Sequence, residues 1–206
     1  MKKMISTVLI LALVFSLCAC GKTEAAKAWE EEVAKIETGA DYSLAQIIAG
    51  TREDYNKLTD EEKGTVKLES FEKLEAEFFN LPCSPVKCAE YLKKHMKDPS
   101  SFRIYGDVIF ITFSAEAGEY YLTAVVCDAK NGYGAYNGKS SYEIMATPED
   151  ENIVAWSEDD SYFLDMYDRI CSATEDQAQL YADHGITYAI FDGKRIAEYI
   201  DCEYFD

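Results

Sequence analysis

The sequence predicts an α+β fold, an N-terminal helical bundle followed by a small domain with an antiparallel β-meander and flanking helices. Three observations lead there. Apolar residues recur at helical spacing over residues 28–80, a proline-containing break follows at 80–85, and β-branched and aromatic runs divided by turn residues fill 102–146 before helical spacing returns. The composition is that of a chain able to bury a core, with 48% hydrophobic and 13% aromatic residues in 206. Its 20 Lys and Arg stand against 38 Asp and Glu, a net charge of -18 that would repel a phosphate backbone and argues against nucleic acid as a partner.

Taken in order, residues 1–19 have the shape of a secretory signal peptide. Lys2 and Lys3 precede an apolar stretch from Met4 to Leu17, short of the roughly 20 residues of an ordinary membrane-spanning helix. The stretch ends in Leu17-Cys18-Ala19-Cys20-Gly21, which resembles the bacterial lipobox, an apolar residue three places before an invariant Cys with small residues between. Leu17, Ala19 and Cys20 match, and Cys18 stands where Ser, Ala or Thr is more usual. The resemblance implies diacylglyceryl transfer to Cys20, cleavage on its N-terminal side, and a lipid-anchored chain on the extracytoplasmic face of the cell membrane. The alternative is an ordinary secretory peptide cut after Ala19, leaving a soluble protein. Each acyl CH₂ contributes about 0.8 kcal/mol, so two chains hold a protein where one binds only marginally. Residues 20–27 read as a short lipidated tether, and the acidic body is expected to stand off anionic head groups.

Helical spacing appears at Trp29, Val33 and Ile36, stops at Gly39, and resumes at Leu44, Ile47, Ile48 and Tyr55 with Ser43 or Asp41 as N-cap. Thr59-Asp-Glu-Glu62 spells a capping box opening a third helix towards Phe79, with a break near Gly64. Residues 43–77 resemble the small helical repeat of many Gram-positive surface proteins. Ile48, Arg52, Tyr55, Leu58, Thr59, Glu62, Lys63, Val66, Leu74 and Ala76 match, while Phe71 follows Val66 by five residues where the family places its aromatic after three. That resemblance implies a spacer or interaction arm and no catalytic residues.

Pro82 and Pro85 place a domain boundary near residue 83, after which Val86 to Met96 reads as a helix ended by Lys97-Asp98-Pro99. Strands are expected at Phe102–Phe113, Tyr120–Cys127 and Tyr142–Ala146, the last following the turn-rich Asn131–Gly138. A helical stripe follows at Tyr162, Leu164, Met166, Tyr167 and Ile170, and a last helix from Asp192 that buries Ile196, Tyr199 and Ile200. Two landmarks, Pro99-Ser-Ser-Phe102 after the Lys93-Lys94 run and Ala129-Lys-Asn-Gly-Tyr-Gly-Ala-Tyr136, resemble the LK-x-PSSF and AKNGFGG patterns of a small domain recurring in uncharacterised Firmicutes lipoproteins. The likeness covers residues 86–146 and implies a fold and a location, with no catalytic residue to carry over.

Candidate chemistry is sparse. Beyond Cys20, the cysteines Cys83, Cys88, Cys127, Cys171 and Cys202 are odd in number and lack CxxC spacing, which disfavours zinc; an extracytoplasmic site permits disulfides, but the spacing fixes no pairing, and buried thiols are the alternative. Cys88 and His95 share a helix face but lie about 10 Å apart along it, too far for a nucleophile and its base. Acidic loops at Thr147–Asn152 and Ser157–Ser161 offer hard oxygens for calcium, yet lack EF-hand alternation and read first as solvated surface. Asn131–Gly138 has no phosphate-loop order and reads as a hairpin loop whose Tyr133 and Tyr136 would form an interaction surface for a protein or glycan. No cofactor, metal or catalytic residue is expected. The functional expectation is a membrane-anchored, non-catalytic binding or interaction module of the cell envelope. The alternatives are a small envelope hydrolase with acids from Glu149–Asp160, or a calcium-dependent ligand-binding module; a two-lobed solute-binding protein would need a longer chain.

Overall fold

The computed structural model describes residues 22–36, 42–115, 118–147, 152–158 and 185–206, with 174, 177 and 183 singly. The fold is mixed α and β, six helices and an antiparallel five-stranded sheet among the described residues. Helix α1 spans Glu24–Lys35, α2 Ala45–Lys57, α3 Asp60–Lys63, α4 Glu69–Phe79 and α5 Pro85–His95. Strands β1 (Arg103–Ala115), β2 (Gly118–Asp128), β3 (Ser140–Thr147) and β4 (Asn152–Glu158) form the meander, and β5 (Ile186–Phe191), α6 (Gly193–Ile200) and β6 (Glu203–Phe205) close the chain. The sheet order is β4-β3-β2-β1-β5, with β6 parallel to the first residues of β1. None of the described helices is long and apolar enough to cross a membrane.

Helix boundaries follow local chemistry. Thr23, Thr59, Ser84 and Asp192 each accept a backbone N–H of the turn that follows, satisfying donors a helix start leaves open. At Thr59 the full capping box forms, with Glu62 reaching back to the Thr59 N–H. Gly64 ends α3, so the expected break there divides one stretch into α3 and α4. Two details depart from the sequence reading. α2 begins at Ala45 behind a 3₁₀ turn at Tyr42–Leu44 with no side-chain cap, and Ile47 is 47% exposed because Ala45, Ile48, Ala49 and Arg52 form its buried stripe instead. Residues 24–27, read as the end of a tether, are the first turn of α1.

The helices cover one face of the sheet. A single cluster of buried side chains runs from Trp29, Ile48, Phe71, Phe78 and Phe79 to Leu92, Ile104, Phe110, Val125, Ile144, Phe191 and Ile196. Burial of aromatics on this scale dominates the favourable side of folding. Trp29 packs edge-on against Phe71 and donates its indole N–H to the Thr51 carbonyl at 2.9 Å, so its one polar atom is satisfied. On the other face Ile109, Ile111 and Ala124 are buried with Phe113, Leu122, Ile186, Tyr188 and Ile190 packed against them, which accounts for the near-continuous apolar run in β1. The stripe expected at Tyr162–Ile170 lies outside the described residues, as do Cys171, His184 and everything before Lys22.

β1 carries a bulge between Tyr105 and Ile109, where its register against β2 shifts and Gly106 takes φ +61°. The bulge receives the start of α6. At the other end of that helix Lys93 of α5 donates to the carbonyls of Ile200 and Asp201, both at 2.7 Å, stabilising a C-terminus that Asp201 leaves in the left-handed region at φ +52°.

Candidate binding site

The two sequence landmarks meet in space. Pro99–Ser101 forms a 3₁₀ turn that ends at Phe102, whose side chain is buried in the core. Ser101 then holds the second landmark twice: its hydroxyl accepts the Lys130 N–H at 2.8 Å, and its carbonyl accepts the Tyr136 hydroxyl at 3.2 Å. The same hydroxyl donates to the Asp98 carbonyl at 2.9 Å, so it serves as donor and acceptor at once. Two residues on, the Arg103 guanidinium carbon lies 3.2 Å from the Tyr136 ring centroid and 5.1 Å from that of Phe205, and its Nε is 3.2 Å from the Glu203 carboxylate. The turn, the start of β1, the loop and β6 are thereby tied into one unit.

Within the loop, Asn131 does most of the holding. Its side-chain oxygen accepts the N–H groups of Tyr133 (2.9 Å) and Ala135 (3.2 Å), its amide donates to Asn137 at 2.7 Å, and its backbone N–H donates to the Ala135 carbonyl at 2.8 Å. Gly134 at φ +79° and Gly138 at φ +106° supply the left-handed turns this path requires. The outcome is a braced loop from whose tip Tyr133 projects, 97% exposed.

Tyr133 and Tyr136 therefore differ in kind. Tyr136 is a brace under Arg103 and Ser101, and Tyr133 is presented. The neighbouring tyrosines are committed elsewhere: Tyr121 is buried on Tyr42 with centroids 4.0 Å apart, Tyr120 stacks on Phe113, and Tyr105 stacks on Phe205 with Lys139 over its ring. An exposed aromatic on a rigid loop offers amphipathic contact area at little ordering cost. Ser101, Arg103 and Asn131 were not among the expected site residues; the signal for them lay in the two landmarks, read only as a likeness.

A second polar feature lies between α2, α4 and α6. Glu75, 1% exposed, receives Arg52 in a bidentate pair (2.8 and 2.7 Å) and Arg195 through two further bonds (3.0 and 2.8 Å). Arg52 also stacks over Phe71. Burial works against the charge of Arg195, but the Glu75 carboxylate carries its pKa above the ordinary value. These groups line a cavity of about 510 Å³ with Phe79, Phe191 and Asp107. Asp107 is pushed above the usual carboxylate range by burial, against which the Gly193 N–H works, with Asp192 adding repulsion. The Glu75 carboxylate and the two guanidinium groups satisfy one another, so the arrangement joins three helices.

Other candidate groups are dispersed. Cys83, Cys88, Cys127 and Cys202 are thiols. Burial pushes the Cys88 thiol up to about 12, and His95 faces the Tyr91 carbonyl at 2.8 Å, so this pair has no nucleophilic geometry. Residues 152–158 of the acidic region are strand β4, while 148–151 and 159–161 lie outside the described residues. No cluster of three metal-ligating side chains occurs among the described residues. Comparison with family models, curated proteins and solved structures found no match.

Proposed function

We propose that this chain is a lipid-anchored extracytoplasmic protein of the Gram-positive cell envelope, attached to the membrane through Cys20, that works as a non-catalytic binding module. The observation that carries the binding role is the braced loop Asn131–Asn137, where six hydrogen bonds and a cation–π contact hold a turn whose Tyr133 stands in solvent. A fully exposed tyrosine on a loop held in this way offers a partner amphipathic contact area that is already ordered. The partner this surface fits is a protein or a glycan, since a tyrosine face and hydroxyl serve both. In this reading the helices of 28–80 share one core with the α+β part, 83–206, and the resemblances to lipoprotein and surface-protein modules supply the location.

The test is capture in native membranes, with a photo-reactive group at position 133 and Cys20→Ala as the control for anchoring. A specific adduct lost in the Cys20→Ala protein supports the reading. A clean absence of adduct, with intact mass showing no lipid on Cys20, would overturn both halves of it.

A further inference from the structure

The chain that joins Cys20 to the folded body is almost absent. Lys22 is ion-paired with Glu30 of α1, and Glu30 also accepts the backbone N–H of Lys67 at 2.9 Å. Thr23 caps α1 and donates its hydroxyl to Glu62 at 2.7 Å, the same carboxylate that closes the capping box of α3. Lys22 is thus bound to α1 and Thr23 to both α1 and α3, and Gly21 is all that lies in sequence between them and Cys20. Two residues of extended backbone span at most about 7 Å. A lipid on Cys20 would sit closer to Lys22 than the thickness of one helix.

What borders Lys22 is a groove of about 420 Å³ between α1 and α4. Val33, Ile36 and Leu74 give it apolar lining, and the Lys22–Glu30 pair, Lys67 and Ser70 supply its polar lining. Apolar side chains beside the exposed Lys67 match the boundary between lipid head groups and acyl chains, where a lysine stem lies along apolar surface while its ammonium reaches phosphate.

We propose that this α1–α4 face lies against the bilayer, so that the protein is seated on its own membrane instead of swinging from a tether. This inference rests on the Cys20 anchor of the preceding reading. It differs from the expectation from net charge alone: the charge of -18 belongs to the whole chain, while the groove next to the anchor is lined by the mutually neutralised Lys22–Glu30 pair, by Lys67 and by apolar side chains, and charges beyond about 10 Å are screened at ordinary salt. Seating would also give the rest of the molecule, the Tyr133 loop included, one orientation to the membrane.

The experiment supplies the lipid chemically, so that its result is independent of whether cells lipidate Cys20. A chain beginning at Cys20 is condensed through its N-terminal aminothiol with an aldehyde-bearing diacyl lipid, which leaves the internal thiols unmodified, and is placed in phosphatidylcholine vesicles. Acylation rates of Lys67 and of exposed Lys139 are read by peptide mass spectrometry, for this protein and for one with about 15 Gly and Ser residues inserted after Gly21, a linker whose average reach is about 20 Å. Seating predicts that Lys67 is slowed several-fold relative to the lipid-free chain, that the insertion restores its rate, and that Lys139 is unchanged throughout. Equal Lys67 rates with and without the insertion, or equal slowing of Lys139, would overturn the inference. Intact mass of the protein from cells tests the Cys20 anchor separately.

Discussion

A Cβ on Gly193 would lie 1.8 Å from the carbonyl oxygen of Gly106, so the first residue of α6 and the bulge of β1 are in contact through bare backbone. The contact has a polar complement, since the Gly193 N–H reaches the Asp107 carboxylate beside the bulge. It fixes the angle at which α6 meets the sheet, and with it the position of Arg195, two residues along, over Glu75.

Gly193→Ala is therefore expected to cost about 3 kcal/mol, at the upper end of overpacking, and to lower Tm by about 6 to 12 °C for a chain of this size. Gly132→Ala is the control: nothing lies within 4 Å of the added carbon, and its effect should stay within about 0.5 kcal/mol. Urea unfolding of the two variants decides the matter, and equal midpoints would refute the backbone contact.

Removing the Glu75 charge should be among the most damaging single changes. Glu75→Gln leaves Arg52 and Arg195 facing each other with no carboxylate between them, and breaking a buried pair in this way costs about 3 to 5 kcal/mol. Glu198 also pairs with Arg195, but half-exposed, and Glu198→Gln should cost less than about 0.5 kcal/mol. The ranking is checked in urea with unchanged m-values.

Asp107 gives the opposite sign. Its folded pKa is raised by burial, so between the ordinary carboxylate value and that raised value the folded protein holds more protons than the unfolded chain, and stability falls as pH rises through that window. Asp107→Asn keeps an acceptor for the Gly193 N–H and removes the charge. The variant should be more stable than the parent at pH 7, with the difference vanishing below pH about 3.9, where both side chains are neutral. Unfolding midpoints across that pH range test it, and a variant less stable at pH 7 would contradict it.

How far the sequence discloses this fold can be seen element by element. Thr59 and Glu62 announce a helix start because the capping box is local, and the β1–β2–β3 meander shows because β-branched and aromatic runs alternate with turn residues. β5 is silent: ITYAIF is six residues long and lies beside a helix signal at Asp192, too short for its period to stand out. β4 hides between acidic stretches that read as surface. Tyr133 is legible as a loop tyrosine, whereas its brace is not, since Ser101 and Tyr136 are 35 residues apart. The distance is longer still for Glu75 and Arg195, 120 residues apart on helices whose charges read as solvent-facing. Spacing along a chain reports one element at a time, and both polar assemblies here are made between elements.

The brace and the presented residue can be separated by mutation. Ser101→Ala removes the acceptor of the partly buried Lys130 N–H and should cost about 1 to 3 kcal/mol. Tyr133→Ala removes a side chain that is 97% exposed and should leave stability within about 0.5 kcal/mol. If Tyr133 contacts a partner and Ser101 only positions it, capture is lost in the Tyr133 variant with the fold untouched. In the Ser101 variant capture weakens in step with faster amide exchange at Tyr133 and Ala135, the two N–H groups that Asn131 holds. Ser101→Thr, which restores a hydroxyl acceptor, should recover both. Faster exchange with capture unchanged would mean that the loop's rigidity serves the fold and not the partner.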